Sequence, residues 1–295
     1  MLLVTGPSGN VGSELVDLLV EQGAGRPWRV ASRHPEALAG RVAEAGGEAA
    51  RLDFFDRATW PAALDGIDTL FLLFPLPGNK AARNGIIPFL EAVEHAGCRH
   101  AVYVSVFGAD RARFIPHYKV EQRLFSSGMT WTVLRCSFFM QNLHRSISTH
   151  GEDIVDHHEL FIPAGRGRTT FIDARDAAAV AAAALLDPPA HHNAVHHLTG
   201  SQALSMDEVA AALSVRLGYP VHYSRPSLPR FATRLRRRGV GWDSIGFMSA
   251  VYTLTRLGRN QPITGDVEHL LGRPPRTLDE FLEFSMWRWR ERAWT

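Results

Sequence analysis

The stretch LLVTGPSGNVGSEL, residues 2–15, limits what this chain can fold into more than any other. Leu2-Leu3-Val4 is an apolar run of strand character that breaks into a glycine turn. Val11, Leu15, Leu18 and Leu19 then recur at helical spacing. Gly6, Gly9 and Gly12 stand at three-residue intervals between the two elements. Glycine lets the backbone turn tightly and approach an anion closely, and the helix amino-terminus offers it unpaired N–H groups. A strand, a glycine turn and a helix in that order convert a common spacing into a pyrophosphate cradle. Its residues are Gly6, Ser8, Gly9, Asn10, Val11 and Gly12.

The same alternation continues. The apolar runs Trp28–Ala31, Ala49–Leu52, Thr69–Phe74, Ala101–Val106 and Thr132–Arg135 read as further strands. Between the fourth and fifth strands, Ile86, Ile87, Leu90 and Val93 mark one face of a helix that ends at Gly97. Strands at this spacing, joined by crossover helices, predict an α/β fold with a doubly wound parallel sheet. After residue 150 the texture becomes mostly helical. Asp173 is placed to cap a helix over Ala174–Leu186, and Ser205-Met206-Asp207-Glu208 reads as a capping box opening a helix to Leu217. The expected division is a nucleotide-binding domain over residues 1–150 and a substrate-binding or lid region over 151–295, interleaved with it as one structural unit.

The end of the second strand reads RVASRHP, with Ser32 and Arg33 and no carboxylate. An acidic residue there would hold the ribose hydroxyls of NAD, whereas a guanidinium fork suits a phosphate. The cofactor expected is therefore NADPH, with Arg33 on its 2′-phosphate. Asp53 and Phe54, ending the third strand, and Phe74, ending the fourth, fall along the course of a dinucleotide.

Composition excludes several classes. The net charge of +2 creates no field toward nucleic acid or an anionic membrane, and two cysteines make neither a disulfide framework nor a metal cluster. The longest apolar stretch, Ala177–Leu186, is far below the roughly 20 residues of a membrane span. The expectation is a cytoplasmic monomer or homodimer with a small aromatic substrate, no nucleic-acid or membrane partner and no metal. HHNAVHH, with His191, His192, His196 and His197, straddles a loop and a strand that send neighbours to opposite faces. SRPSLPRFATRLRRRG contains six arginines and no acid, and reads as an amphipathic helix with a basic face. Trp287, Trp289 and Trp294 mark a docking helix or half of a subunit contact.

Several blocks together resemble the NmrA-like, atypical branch of the short-chain dehydrogenase/reductase superfamily. They are VTGPSGNVG, YVSVFGA, HYKVEQRLFSSGMTWTVLRCSFFMQNL at 117–143, FIDARDAAAVAAAAL, HHLTGSQALSMDEVA and DVEHLLGRPPRTLDEF. Cys136 stands where that family has a proline after Leu-Arg. The resemblance implies a Rossmann domain with a smaller, mostly helical C-terminal substrate-binding region. It implies NADPH-dependent reduction of quinones, dyes or aromatic ketones, including natural-product tailoring. It also admits non-catalytic sensors of the NADP(H) state.

The reductive reading has a gap at IPHYKVE. The familiar tyrosine four residues before the lysine is Ile115, and Tyr118 is the immediate neighbour of Lys119, on another helix face. The resemblance implies a role for Lys119, either binding the nicotinamide ribose of the cofactor or polarising the substrate oxygen, and roles for His117 and for Ser105, where related enzymes hold a substrate-binding serine. These three are the catalytic candidates. His117 is read as an imidazole titrating near neutral pH. Phe107, Tyr118, Phe138, Phe139, Met140 and Asn142 are the expected substrate pocket, suited to a flat polycyclic molecule. A polyphenolic substrate supplying its own proton is the alternative to a protein acid. The missing tyrosine and the basic helix are the features that favour the sensor.

Overall fold

The computed structural model describes residues 1–73, 78–144 and 149–290. The first half runs β1 (Leu2–Thr5), α1 (Asn10–Gln22), β2 (Trp28–Ser32), α2 (Glu36–Glu44), β3 (Glu48–Arg51), α3 (Trp60–Leu64), β4 (Thr69–Leu73), α4 (Asn79–Ala81), α5 (Ile87–His95), β5 (His100–Val106), α6 (Pro116–Phe125) and β6 (Thr130–Cys136). The second half runs β7 (Phe138–Phe139), α7 (Thr149–His157), β8 (Glu159–Leu160), β9 (Arg168–Ile172), α8 (Ala174–Leu186), α9 (Pro188–His191), β10 (Ala194–Leu198), β11 (Ala203–Ser205), α10 (Met206–Leu217), β12 (His222–Tyr223), α11 (Leu228–Arg237), α12 (Trp242–Arg256), α13 (Asp266–Leu271), α14 (Leu278–Ser285) and α15 (Trp287–Arg290). Contacts divide the chain into two compact units, one of residues 1–136 with 177–197 and one of 137–176 with 198–295.

The first unit is built on a sheet of strand order β10-β6-β5-β4-β1-β2-β3. Strands β1 to β6 pair in parallel. The order reverses between β1 and β4, which creates the crevice where doubly wound sheets take their ligands. Alternate residues Leu3, Ala31, Leu70, Leu72, Ala101, Tyr103 and Val133 join one core with Trp60, Phe89, Val120 and Leu124 from the helices on that face. Their neighbours Leu2, Val4, Val30 and Phe71 are equally buried, so a strand buried on both faces reads as an unbroken apolar run.

The second unit carries two small sheets, β11-β9-β7 and β12-β8, packed with helices around Phe161, Phe171, Phe231, Tyr252 and Phe281. Its helix starts follow the sequence signals. Asp173 Oδ1 accepts from Arg175 N at 2.9 Å, and Ser205 and Glu208 form the reciprocal capping box of α10. The arginine-rich helix is amphipathic as expected, with Arg230, Arg236 and Arg237 exposed, but its basic side is not wholly solvated. Acids from α7 and β8, remote in sequence, meet it: Arg234 bonds Asp153 at 2.7 Å and also Glu159, and Arg238 bonds Asp153 at 2.7 Å. Phe231 and Leu235 are buried on its apolar side. Among the described residues no helix is long and apolar enough to cross a membrane.

Candidate active site

The glycine turn ends β1 at the crevice. Gly6 has φ +62°, a left-handed conformation that disfavours a side chain, and its carbonyl accepts from Gly9 N at 3.0 Å. A Cβ on Gly12 would stand 2.0 Å from that same carbonyl, so only glycine lets α1 close onto the turn. Gly9 brings no side-chain cap, and the first turn of α1 holds no acid. A helix amino-terminus presented this way suits an anion, and the pyrophosphate of a dinucleotide fits it. Ser8 is exposed beside the turn, Asn10 is partly exposed, and Val11 is wholly core.

At the end of β2, Arg33 is exposed and has no ion-pair partner among the described residues. Ser32 Oγ accepts from His34 N at 3.3 Å, and His34 turns to Glu36. Ser32 lies opposite Arg51 in the pairing of β2 with β3. Asp53 is occupied locally: its Oδ1 accepts from Phe55 N at 2.9 Å and its carbonyl from Trp60 Nε1 at 2.9 Å. Phe54 packs edge-on to Phe89, with centroids 5.0 Å apart, as a core residue does. Phe74 lies outside the described residues.

Helix α6 separates the three catalytic candidates. Pro116 opens it at the first position, where a missing N–H costs nothing. His117 and Glu121, four residues apart, share the face turned to the sheet. His117 is 6% exposed and stacks over Tyr103, and burial pushes its imidazole down to about 4. It is therefore neutral at physiological pH. The expectation of an imidazole titrating near neutrality fails because the helix buries it against β5. Ser105 is buried as well, and its hydroxyl donates to Glu121 Oε1 at 2.6 Å. Glu121 is fully buried and held by Arg135 through two bonds, Nε to Oε1 at 3.1 Å and Nη2 to Oε2 at 2.7 Å. Arg135 reaches Asp110 at 3.4 Å and lies 3.5 Å from His197 Nε2. Ser105 thus belongs to a buried ion-pair network.

Lys119, two residues from His117, points elsewhere. Its ammonium donates to Asn79 Oδ1 at 2.8 Å, and Asn79 Nδ2 donates to the Phe114 carbonyl at 3.2 Å. The lysine is partly exposed and its position is defined by a neutral partner. Tyr118 is partly exposed one residue away, and Phe107 meets His197 edge-on at 5.6 Å. Asn79, Glu121 and Arg135 were not singled out from the sequence. Glu121 had a signal, because an acid four residues after a buried histidine shares its buried face. Asn79 had none, since its link to Lys119 spans 40 residues.

In the second unit, Phe138 packs edge-on to Phe171 at 5.2 Å, and Phe139 pairs with Ile172 in the sheet. Met140 is 2% exposed in the core. Phe139 and Asn142 stay partly exposed. Among the histidines of HHNAVHH, His191 and His196 meet edge-on at 5.7 Å.

A family model described as the NmrA-like family matches residues 1–281. An NAD(P)H azoreductase of Xenophilus azovorans is 35% identical over 285 residues, covering 95% of this chain and 96% of that one. Quinone oxidoreductase 2 of Escherichia coli is 28% identical over 245 residues, covering 81% of this chain and 82% of that one. A crystal structure of an NADPH-dependent quinone oxidoreductase of Escherichia coli superposes with a TM-score of 0.78 at 25% identity, covering 97% of this chain and 100% of that one.

Proposed function

This chain belongs to the NmrA-like family and is an NADPH-dependent oxidoreductase, and from that premise we propose that it reduces quinones and comparable flat aromatic acceptors. The observation that carries the reading is a glycine turn without a side-chain cap together with Arg33, which has no ion-pair partner among the described residues; one is suited to a pyrophosphate and the other to a phosphomonoester. Relatives named for azo compounds and quinones support the acceptor class. Two of the arginines that favoured a sensor, Arg234 and Arg238, are matched by Asp153 and Glu159, which weakens that ground for it, while Arg230, Arg236 and Arg237 stay exposed.

When bound, the nicotinamide supplies the hydride, and the protein's task is to place the acceptor and meet the charge that develops on it. Lys119 is the group suited to that task. Asn79 takes one of its N–H donors and fixes the ammonium without neutralising it. A cation so placed stabilises the aryloxide that hydride addition leaves on a quinone oxygen. Ser105 is committed to Glu121 and His117 is neutral, so neither is assigned the proton. The proton comes from water or from a phenolic group of the acceptor. Phe107 and Tyr118, in the same unit as Lys119, are assigned to the acceptor.

The test is NADPH oxidation, followed optically, with 1,4-naphthoquinone, an azo dye and a flat polycyclic ketone of natural-product type, NADH serving as control. Turnover of at least one acceptor, faster with NADPH, is expected. NADPH binding without turnover of any of the three would overturn the acceptor assignment. Lys119→Ala should lower kcat with NADPH affinity retained, while a collapse of kcat in Ser105→Ala would reverse the assignment of that serine.

A further inference from the structure

We propose that the acceptor is an aromatic anion: the carboxyl edge of the first unit gathers Lys80, Arg83 and Arg113 beside Lys119 into a cationic face, suited to a flat ring bearing a sulfonate, carboxylate or phosphate. This deepens the reductase reading and rests on its assignment of Lys119 to the acceptor.

Two segments build the face, and both leave the carboxyl ends of neighbouring parallel strands. Residues 78–90 follow β4 and residues 107–120 follow β5. That edge is where doubly wound sheets take their ligands. Asn79 ties the segments together. Its Oδ1 accepts from Lys119 Nζ at 2.8 Å, and its Nδ2 donates to the Phe114 carbonyl at 3.2 Å. Lys80 adjoins Asn79 in the chain and Arg113 adjoins Phe114, so both backbones lie beside this one bridge. Arg83 follows one turn on, in the π-helical turn Ala82–Ile86, a distortion that recurs at functional sites.

The charges there are unbalanced. Lys80, Arg83, Arg111, Arg113 and Lys119 stand in the two segments against one acid, Asp110, which faces Arg135 at 3.4 Å and Arg111 at 3.9 Å. Glu121, just beyond, is buried and held by Arg135. Lys80, Arg83 and Arg113 are exposed and have no ion-pair partner among the described residues. Away from this edge the same unit pairs its cations: Arg26 meets Asp68, Arg29 meets Glu48, Arg41 meets Asp17 and Arg123 meets Glu94. Like charges left together beside the ammonium of Lys119 repel it, and a bound anion relieves that repulsion. Phe114, between Arg113 and the Asn79 bridge, is 66% exposed and offers an apolar plane to a ring. The phosphates of NADPH are assigned to the glycine turn and Arg33, which leaves this face to the acceptor.

The test uses 1,4-naphthoquinones that differ only on the benzo ring: unsubstituted, with a sulfonate, or with a trimethylammonium group. Both substituents withdraw electrons, so charge alone sets them apart. The measurements are kcat/KM for each at ionic strengths of about 0.02 M and about 0.5 M, binding of each to the NADP+ complex by calorimetry, and the dissociation constant of NADPH. The expected order is sulfonate, neutral, ammonium, with the sulfonate about ten-fold or more above the ammonium at low salt and the gap closing at high salt. Arg113→Glu and Lys80→Glu should each narrow the sulfonate-to-ammonium ratio about five-fold, with NADPH affinity within two-fold of wild type and Tm unmoved. An order that ignores charge, or one that survives both substitutions and high salt, would overturn the proposal and leave the reductase reading in place. Substitutions that weaken NADPH instead would assign the face to the cofactor and overturn it too. If none of the quinones is reduced, binding decides: preference for the sulfonate would uphold the anionic face against the reductase reading, and equal or absent binding would overturn both.

Discussion

Two arginine-bearing stretches look alike in the sequence and differ in the fold. RVASRHP ends β2 with Arg33, which is exposed and has no ionic partner among the described residues. SRPSLPRFATRLRRRG contains six arginines, yet Arg234 and Arg238 share Asp153, a carboxylate only 2% exposed. Arg234 also lies 3.4 Å above the Phe161 ring. One stretch keeps its guanidinium for an external anion, and the other uses two to neutralise the protein's own interior. Charge counted along a chain cannot separate these cases, because the counterion of α11 comes from α7, more than 80 residues earlier. A cation signals ligand binding when the fold leaves it uncommitted.

The most committed pair should show the largest effect. Glu121 and Arg135 are buried together, and removing one partner strands the other charge. Glu121→Ala should cost about 3–5 kcal/mol of stability, read by urea unfolding. A loss within experimental error would mean that burial and pairing do not define commitment. Histidine extends the comparison to a cation that the fold suppresses. His117 is held neutral by burial, with a folded value of about 4 against an ordinary 6.5. The unfolded chain therefore binds its proton first. Its contribution to stability is complete above pH 6.5 and is lost as pH falls from 6.5 to about 4, at ~1.4 kcal/mol per pH unit. Unfolding measured across that window should steepen toward acid, and His117→Leu should flatten the slope.

Arg33 tests the uncommitted side. Arg33→Ala should weaken NADPH by about 10- to 100-fold, the worth of a charge-assisted contact, and leave NADH unchanged. Equal losses for both cofactors would place the 2′-phosphate elsewhere. Asp153→Asn sharpens the contrast from the opposite end. It should cost about 1–2 kcal/mol, since both guanidiniums keep some solvent. It should also release α11 as a basic face, seen as later elution from heparin, with NADPH affinity unmoved. A shift in cofactor affinity would show that the two stretches are not independent.

The legible parts of the molecule were those governed by local physics. The glycine turn, the period of the strands, the start of α6 at Pro116 and the capping box at Ser205 all follow from residues within a few positions of one another. What the sequence hid depends on distant partners. Lys119 and Ser105 were read as one catalytic set on the family resemblance. Their directions are decided by Asn79, 40 residues away from the lysine, and by Glu121, 16 residues from the serine. The helical period held the necessary clue, since residues two apart on α6 point to different sides, but the sheet-facing side had to be known first.

Ser105 yields the smallest predicted effect and the one most specific to this assignment. Its hydroxyl is one of several donors to Glu121, and Arg135 continues to hold both carboxylate oxygens when it is gone. Ser105→Ala should cost about 1 kcal/mol of stability, as one neutral donor to a charged acceptor is removed while the acceptor stays paired. Its kcat should stay within two-fold of wild type, whereas Lys119→Ala should lower kcat at least ten-fold, the share of a preorganised charge facing a developing oxyanion being about 1.4 kcal/mol or more. The two variants together decide where the chemistry lies on α6. If the serine carries the larger kinetic loss, the working face is the one turned to β5 and the buried Glu121–Arg135 pair is part of the reaction. If the lysine does, that pair is scaffolding, and the catalytic charge is the one that Asn79 orients without neutralising.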